Sequence, residues 1–177
     1  KAAALDVPLI THAEDSAFGA SFHLLMHGDT VLADKATFIG NIGFRMTPWM
    51  LKKFAESNEI NVKYVHHGEN KVRFNKFQDL KETDVEWILK ILNQRKDAIL
   101  DFAFERRGDK LNDEGKEILS SGDTLAGKDA VMLGIIDHAV NPDEYFLENL
   151  PKHDIGLVKP SFKQKIGLAS TEFNIEE

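Results

Sequence analysis

The chain has no cysteine among its 177 residues, which excludes disulfides and thiolate metal sites and leaves the redox compartment open. No apolar run approaches the roughly 18 residues that a membrane helix needs. Positive charge is in short supply: 22 lysines and arginines face 29 aspartates and glutamates, a net charge of -7. A nucleic-acid surface needs a basic face against the phosphates, so that class of partner is excluded. Internal repeats and low-complexity tracts are absent as well. The first residue is Lys1, which reads as a processed chain or a piece of a longer one, with no targeting segment in view.

What is present is ordinary for a soluble globular chain, 42% apolar and 29% charged, at a length that makes one domain or a large piece of one. The organising stretch is Ser16 to Phe44. A small-residue turn, Ala17-Phe18-Gly19-Ala20-Ser21, precedes a short apolar helix from Phe22 to Met26, closed by Gly28. A strand, Thr30 to Ala33, and a tight turn, Gly40-Asn41-Ile42-Gly43, follow. Small residues ahead of a helix let the backbone approach closely and leave N–H groups free. Enzymes hold a nucleophile and stabilise an oxyanion in that way.

The rest alternates. Val7 to Thr11 predicts a short strand. Thr47-Pro48 predicts a helix start, with the helix running through Trp49, Leu51 and Phe54 to Ser57. Asn61 to His66 alternates and predicts a strand. Gly68 to Asp79 is a polar, basic loop carrying Lys71, Arg73 and Lys76. Thr83-Asp84-Val85-Glu86 has the pattern of a capping box opening a long helix, which Gly108 stops near Arg107. A helix from Asp113 to Ser120 and one from Gly127 to Leu133, capped by Thr124, come next. Ile135 to Val140 predicts a strand, Pro142 to Leu150 a last helix, and Ser170 to Glu177 a loose tail. Strands alternating with helices predict an α/β fold.

Three places carry a family resemblance. Gly19-Ala20-Ser21-Phe22, Asp29-Thr30-Val31 and Gly40-Asn41-Ile42-Gly43-Phe44 are similar to a Ser-Gly-Gly-Tyr motif, an Asp-Lys-Ile segment and a Gly-Ser-Ile-Gly-Val turn. Gly68-Glu69-Asn70-Lys71 is similar to a Gly-x-x-Lys segment. Gly127-Lys128-Asp129-Ala130 through Gly134-Ile135-Ile136-Asp137 is similar to a closing Gly-x-x-Ala-x-x-x-Gly-Leu-Val-Asp pattern. Together, in register from Val7 to Val140, they resemble peptidase family S49, the signal-peptide-peptidase A and SohB type.

The resemblance implies a ClpP/crotonase-like fold of repeated β-β-α units, missing its N-terminal part. It implies an S49-like domain over residues 1–150 and an extension over 151–177. It implies a Ser-Lys dyad in which Lys71 falls on the general base and Gly19 on the nucleophilic serine. Glycine has no hydroxyl, so no acyl-enzyme can form there. The Pro-Gly-Gly segment that helps form the family's oxyanion hole has no counterpart here.

The expectation is therefore a catalytically degenerate, peptidase-like subunit of a larger homo- or hetero-oligomer, with other protein subunits as partners and an extended peptide in the ancestral groove. The alternative is an active serine endopeptidase using Ser21 or Ser16. Ser21 would point away from the old serine direction, and Ser16 reads as a turn residue. A crotonase-like acyl-CoA binder shares the fold, but the Gly-x-x-Lys loop and the closing pattern favour S49. No cofactor is expected. His23 and His27 share a helix face beside Asp29, as a metal pair would, without the glutamate of a His-Glu-x-x-His motif, so no metal is expected. Lysine- and asparagine-rich composition fits import into an organelle such as the mitochondrion.

Overall fold

The computed structural model describes residues 7–149, 156–160 and 173–176. The chain divides into two compact units, Lys1–Asn141 and Pro142–Glu177. The first opens with two short strands, β1 (Ile10–Ala13) and β2 (Ser16–Phe18), then a six-residue helix, α1 (Ala20–Leu25). A second pair follows, β3 (Thr30–Ala33) and β4 (Phe38–Gly40). β1 pairs parallel with β3, Ile10 opposite Thr30, and β2 pairs parallel with β4, Ser16 opposite Phe38. Each β-β pair thus gives its first strand to one sheet and its second to another. This is the repeated β-β-α architecture that the resemblance implies.

The remaining elements complete those two sheets. After α2 (Lys52–Ser57) and a 3-10 turn at Glu69–Val72 comes the long α3 (Glu82–Arg107). Next are α4 (Asp113–Ser121), β5 (Thr124–Ala126), α5 (Gly127–Met132) and β6 (His138–Ala139). The sheet orders are β1-β3-β6 and β2-β4-β5, with β6 parallel to β3 and β5 antiparallel to β4. Val31, Leu32 and Ala33 of β3 are all buried, as a parallel strand covered on both faces requires. Phe22 and Met26 from the α1 region, Ile39, Ile42, Leu119, Ile135 and Ile136 join Val31 and Ala33 in one apolar core. From α3, only the last turns contribute, through Ile99, Leu100 and Ala103. The second unit holds α6 (Pro142–Asn149) and a hairpin of β7 (Leu157–Pro160) and β8 (Phe173–Glu176).

Several local expectations need correction. The first strand is Ile10–Ala13, later than Val7 to Thr11, and the small-residue turn divides between the end of β2 (Ala17, Phe18), Gly19 and the start of α1 (Ala20, Ser21). The helix expected from Thr47 begins only at Lys52, because the Leu51 amide donates to the Lys76 carbonyl (2.6 Å) in the neighbouring loop. Residues 61–66 form no strand: among the described residues no neighbouring strand offers a ladder, and Val65 is fully exposed. Thr83 does not cap α3. Lys81 holds the N-cap position without a side-chain bond, and Asp84 is drawn to Arg73 instead. Thr124 lies in β5, so α5 starts from Ala126 with no side-chain cap.

At the closing pattern, the Ile135 and Ile136 amides both donate to the Ala130 carbonyl, so only His138–Ala139 is left as strand. In the expected loose tail, Phe173–Glu176 is a strand, its Glu176 opposite Leu157, while the rest of Ser170 to Glu177 lies outside the described residues. Leu150, the expected end of the last helix, also lies outside them.

Candidate functional site

Gly19 is the joint between β2 and α1. It stands at the N-cap with φ 50 and ψ -105, a conformation that L side chains adopt only under strain. Backbone bonds fix it there. Its N–H donates to the Gly40 carbonyl (3.2 Å), and its carbonyl accepts from the His23 amide (3.0 Å). The turn after β4 is anchored in the same place, where the Asn41 amide donates to the Asp123 carbonyl (2.9 Å). The joint borders an open cavity of about 550 Å³, lined also by Phe18, Asn41, Phe44, Arg45 and Ser121. A Cβ placed on Gly19 would meet nothing nearer than the Asn41 carbonyl oxygen at 3.8 Å. Space for a side chain therefore remains. A sharp strand-to-helix elbow is the setting in which enzymes expose a nucleophile, but here it carries no oxygen.

Ser21 is spent on the elbow itself. Its Oγ accepts from the Phe18 amide (2.9 Å) and donates to the Phe18 carbonyl (3.0 Å). It borders a different cavity, about 560 Å³, shared with Thr11, His12, Glu14, Asp15 and Ser16. Ser16 sits in β2 opposite Phe38. In the same wall, His12 Nε2 lies 3.2 Å from an Asp34 oxygen. That pair has no local signal, since the two residues meet only when β1 and β3 come together.

Lys71 is exposed, in the 3-10 turn Glu69–Val72. It borders a third hollow with Tyr64, Arg73, Asn75 and Lys76. Gly19 and Lys71 border different cavities. The structure thus places Gly19, Ser21 and Lys71 at three hollows.

His23 and His27 both pack on Phe102, with ring centroids 4.8 and 4.6 Å from it, and His27 Nδ1 bonds the His23 carbonyl (2.9 Å). Among the described residues, no group of three or more His, Cys, Asp and Glu side chains is placed to hold a metal ion. His66, at the end of the expected strand, bonds the Gly68 carbonyl through Nδ1 (3.2 Å). Beside α1, the Leu9 amide and then the Arg106 guanidinium hold the exposed Asp29 carboxyl below its ordinary value.

A cluster of charged bonds gathers at Asp137, the residue ahead of β6. Asp137 accepts from Arg107, from Lys110 (2.8 Å) and from the Val31 amide (2.8 Å). Burial alone would raise its pKa. The bonds from Arg107, Lys110 and Val31 outweigh that and hold the carboxyl well below the usual carboxylate range.

The model of peptidase family S49 matches residues 1–150. This chain belongs to peptidase family S49. Two curated relatives are each 30% identical over 128 residues, both called "Na(+)/H(+) antiporter NhaA", from Brucella abortus (strain 2308) and Brucella melitensis biotype 1. The match takes in 70% of this chain and 17% of each relative, so the chain spans about a sixth of their length. Among the described residues, no helix is long and apolar enough to cross a membrane. The S49 match runs through the elbow at Gly19, the Lys71 turn and the Asp137 cluster alike.

Proposed function

We propose that this S49 domain is catalytically silent and serves as a structural or binding subunit of a larger assembly. The observation that carries the reading is the elbow at Gly19: a strand-to-helix joint beside an open cavity, where the residue has no hydroxyl. Ser21 supports the same reading, because both of its hydrogen-bonding roles are spent on Phe18. Ion transport, named for the two relatives, has no support in a chain spanning 17% of their length.

A binding role draws support from surface apolarity in one part of the chain. Met46, Trp49, Met50, Phe54, Trp87 and Leu89 are all exposed, across α2, the residues before it and the first half of α3. Such apolar surface is costly to leave in water and marks a protein contact. The proposed occupant is another subunit, and the open cavity beside Gly19 remains available to an extended peptide.

The test is labelling of the full native chain with a fluorophosphonate probe, followed by peptide mapping, beside an active S49 peptidase. The expected result is a labelled control and an unlabelled chain. Label on Ser21 or Ser16 that disappears in Lys71→Ala would overturn the reading and establish a serine peptidase with a relocated nucleophile.

A further inference from the structure

We propose that the apolar surface around Trp49 joins two copies of this chain in a two-fold dimer, the Trp49 ring of each copy seated in the hollow beside Trp87 of the other. The proposal rests on the reading of this domain as a binding subunit and names the occupant of that surface. It starts from an imbalance in burial. Between Gly43 and Ala98 only Ala55 and Asp84 are buried, although both tryptophans of the chain lie there. One small apolar side chain offsets little of the conformational entropy lost in ordering so long a segment. Apolar surface supplied by a partner makes up the difference.

The segment is nonetheless tied into one surface. The Leu51 amide donates to the Lys76 carbonyl (2.6 Å), and Lys52 pairs with Asp79. Arg73 meets both Asp84 (3.2 Å) and the Trp87 ring (4.7 Å to its centre). These contacts bring the residues before α2, the loop over 68–79 and the first half of α3 together. There an open hollow of about 560 Å³ is walled by Met46, Phe74, Trp87 and Ile88, with Asn70 and Arg73 completing its lining. Phe74 keeps its place in that wall at φ 57, a left-handed backbone that is costly for a bulky residue and clusters at binding sites. Trp49, three residues along the chain from Met46, is 76% exposed.

A surface that carries both a projecting ring and a hollow can mate with a copy of itself. Each ring fills the hollow of the other copy, and such a contact closes as a two-fold. The area is of the right order. At 150–250 Å² for a whole aromatic side chain, the exposed parts of Trp49, Phe54 and Trp87 come to roughly 400 Å² per copy, half of the ~800 Å² per partner in a standard interface. Met46, Met50 and Leu89 add to it. Charge points to the same face. From Gly43 to Ala98 lysines and arginines outnumber aspartates and glutamates, so the acid behind the net charge of -7 lies in the rest of the chain. Two copies meeting through that remainder would set like charges together. The surface at Trp49 offers both signs, with Arg45 and Lys53 exposed as well as Glu82 and Glu86.

The experiment is sedimentation velocity of the full chain over a concentration series, with cross-linking through introduced cysteines, which have no native cysteine to compete with. The expected result is a reversible monomer–dimer equilibrium. Trp49→Ser on the projecting side and Met46→Glu in the hollow each weaken it at least tenfold, as loss of a central anchor does. In an equimolar mixture, Met50→Cys and Asn70→Cys chains link to each other in preference to their own kind, and adding Trp49→Ser to both abolishes the link. A wild type that stays monomeric, a dimer unchanged in Trp49→Ser or Met46→Glu, or random disulfide pairing overturns the proposal. A monomer that uses Trp49 to hold a different subunit from the native source overturns it too and leaves the binding-subunit reading standing. A monomer that uses Trp49 to bind anionic phospholipid vesicles overturns both. Unchanged backbone amide spectra confirm that the variants are folded.

Discussion

Arg107 grips Asp137 with two parallel bonds, Nη1 to Oδ2 at 3.0 Å and Nη2 to Oδ1 at 2.9 Å, while its Nε donates to the Gly134 carbonyl (2.9 Å). Both side chains are shielded, at 4% and 13% exposure. The pair ties the end of α3 to the residue ahead of β6, and through the Val31 amide to the middle strand of the sheet.

Breaking this pair leaves a charge without its partner in the interior. Arg107→Ala is expected to lower stability by about 3 kcal/mol, at the low end for buried pairs because Lys110 still reaches Asp137. The pH dependence has a definite sign. Asp137 has a depressed pKa in the folded state, so its contribution is full above its unfolded value, near 3.8, and is lost as the pH falls toward the folded value. Urea unfolding of wild type and Asp137→Asn between pH 7 and pH 3 checks this. The stability gap between them should be constant down to about pH 4.5 and narrow below it. A gap that stays unchanged at pH 3 would show that the carboxylate is not held by these bonds.

Gly19→Ser restores an oxygen at the elbow. The cavity accepts the side chain, but the positive φ does not suit it, so a loss of about 1–2 kcal/mol is expected. No fluorophosphonate label is expected on the variant, because Lys71 borders another hollow. A label that depends on Lys71 would show that the lysine reaches the elbow after all.

The exposed apolar residues make a third prediction. Trp49 is 76% exposed and Phe54 60% exposed, so Trp49→Ser and Phe54→Ser should change folding stability by less than about 0.5 kcal/mol. Sedimentation velocity should instead show loss of self-association, or pull-down from the native source should show loss of a bound subunit. Wild-type association that survives both substitutions would place the contact elsewhere.

Some of this was legible in the residues. The run Thr30 to Ala33 is continuously apolar after its first residue and is a strand with those bounds. Gly108 ends α3 as its position foretold, and Asn112, which accepts from the Gly115 amide (2.8 Å), explains why a helix starts at Asp113. One segment that misled is 61–66. There, alternation at Val62, Tyr64 and His66 reads as a strand, yet a strand needs a neighbour, and none is present among the described residues. Thr83 shows the same limit, since the Arg73 charge decides what Asp84 does and no local pattern reports it.

The site divides in the same way. Gly19 was legible through the resemblance, whose Ser-Gly-Gly-Tyr motif places its serine at that position. The separation of Lys71 from it was not, because spacing along the chain says nothing about the path of the 51 or so residues between. The buried donor of Asn75 and the pairing of His12 with Asp34 are tertiary facts, set by loops and strands that meet only in the fold.

The placement of β6 has a consequence for how the chain is made. β3 pairs on one side with β1 and on the other with β6, and the Val31 amide finds its acceptor 106 residues away in Asp137. During synthesis, α3 emerges with Arg107 long before that carboxylate exists. The nascent unit therefore cannot bury its guanidinium or finish its sheet until the last few residues of the domain leave the ribosome. Folding of this domain is a late event with high contact order, and a chain stalled before Asp137 would expose an unfinished sheet to chaperones and proteases.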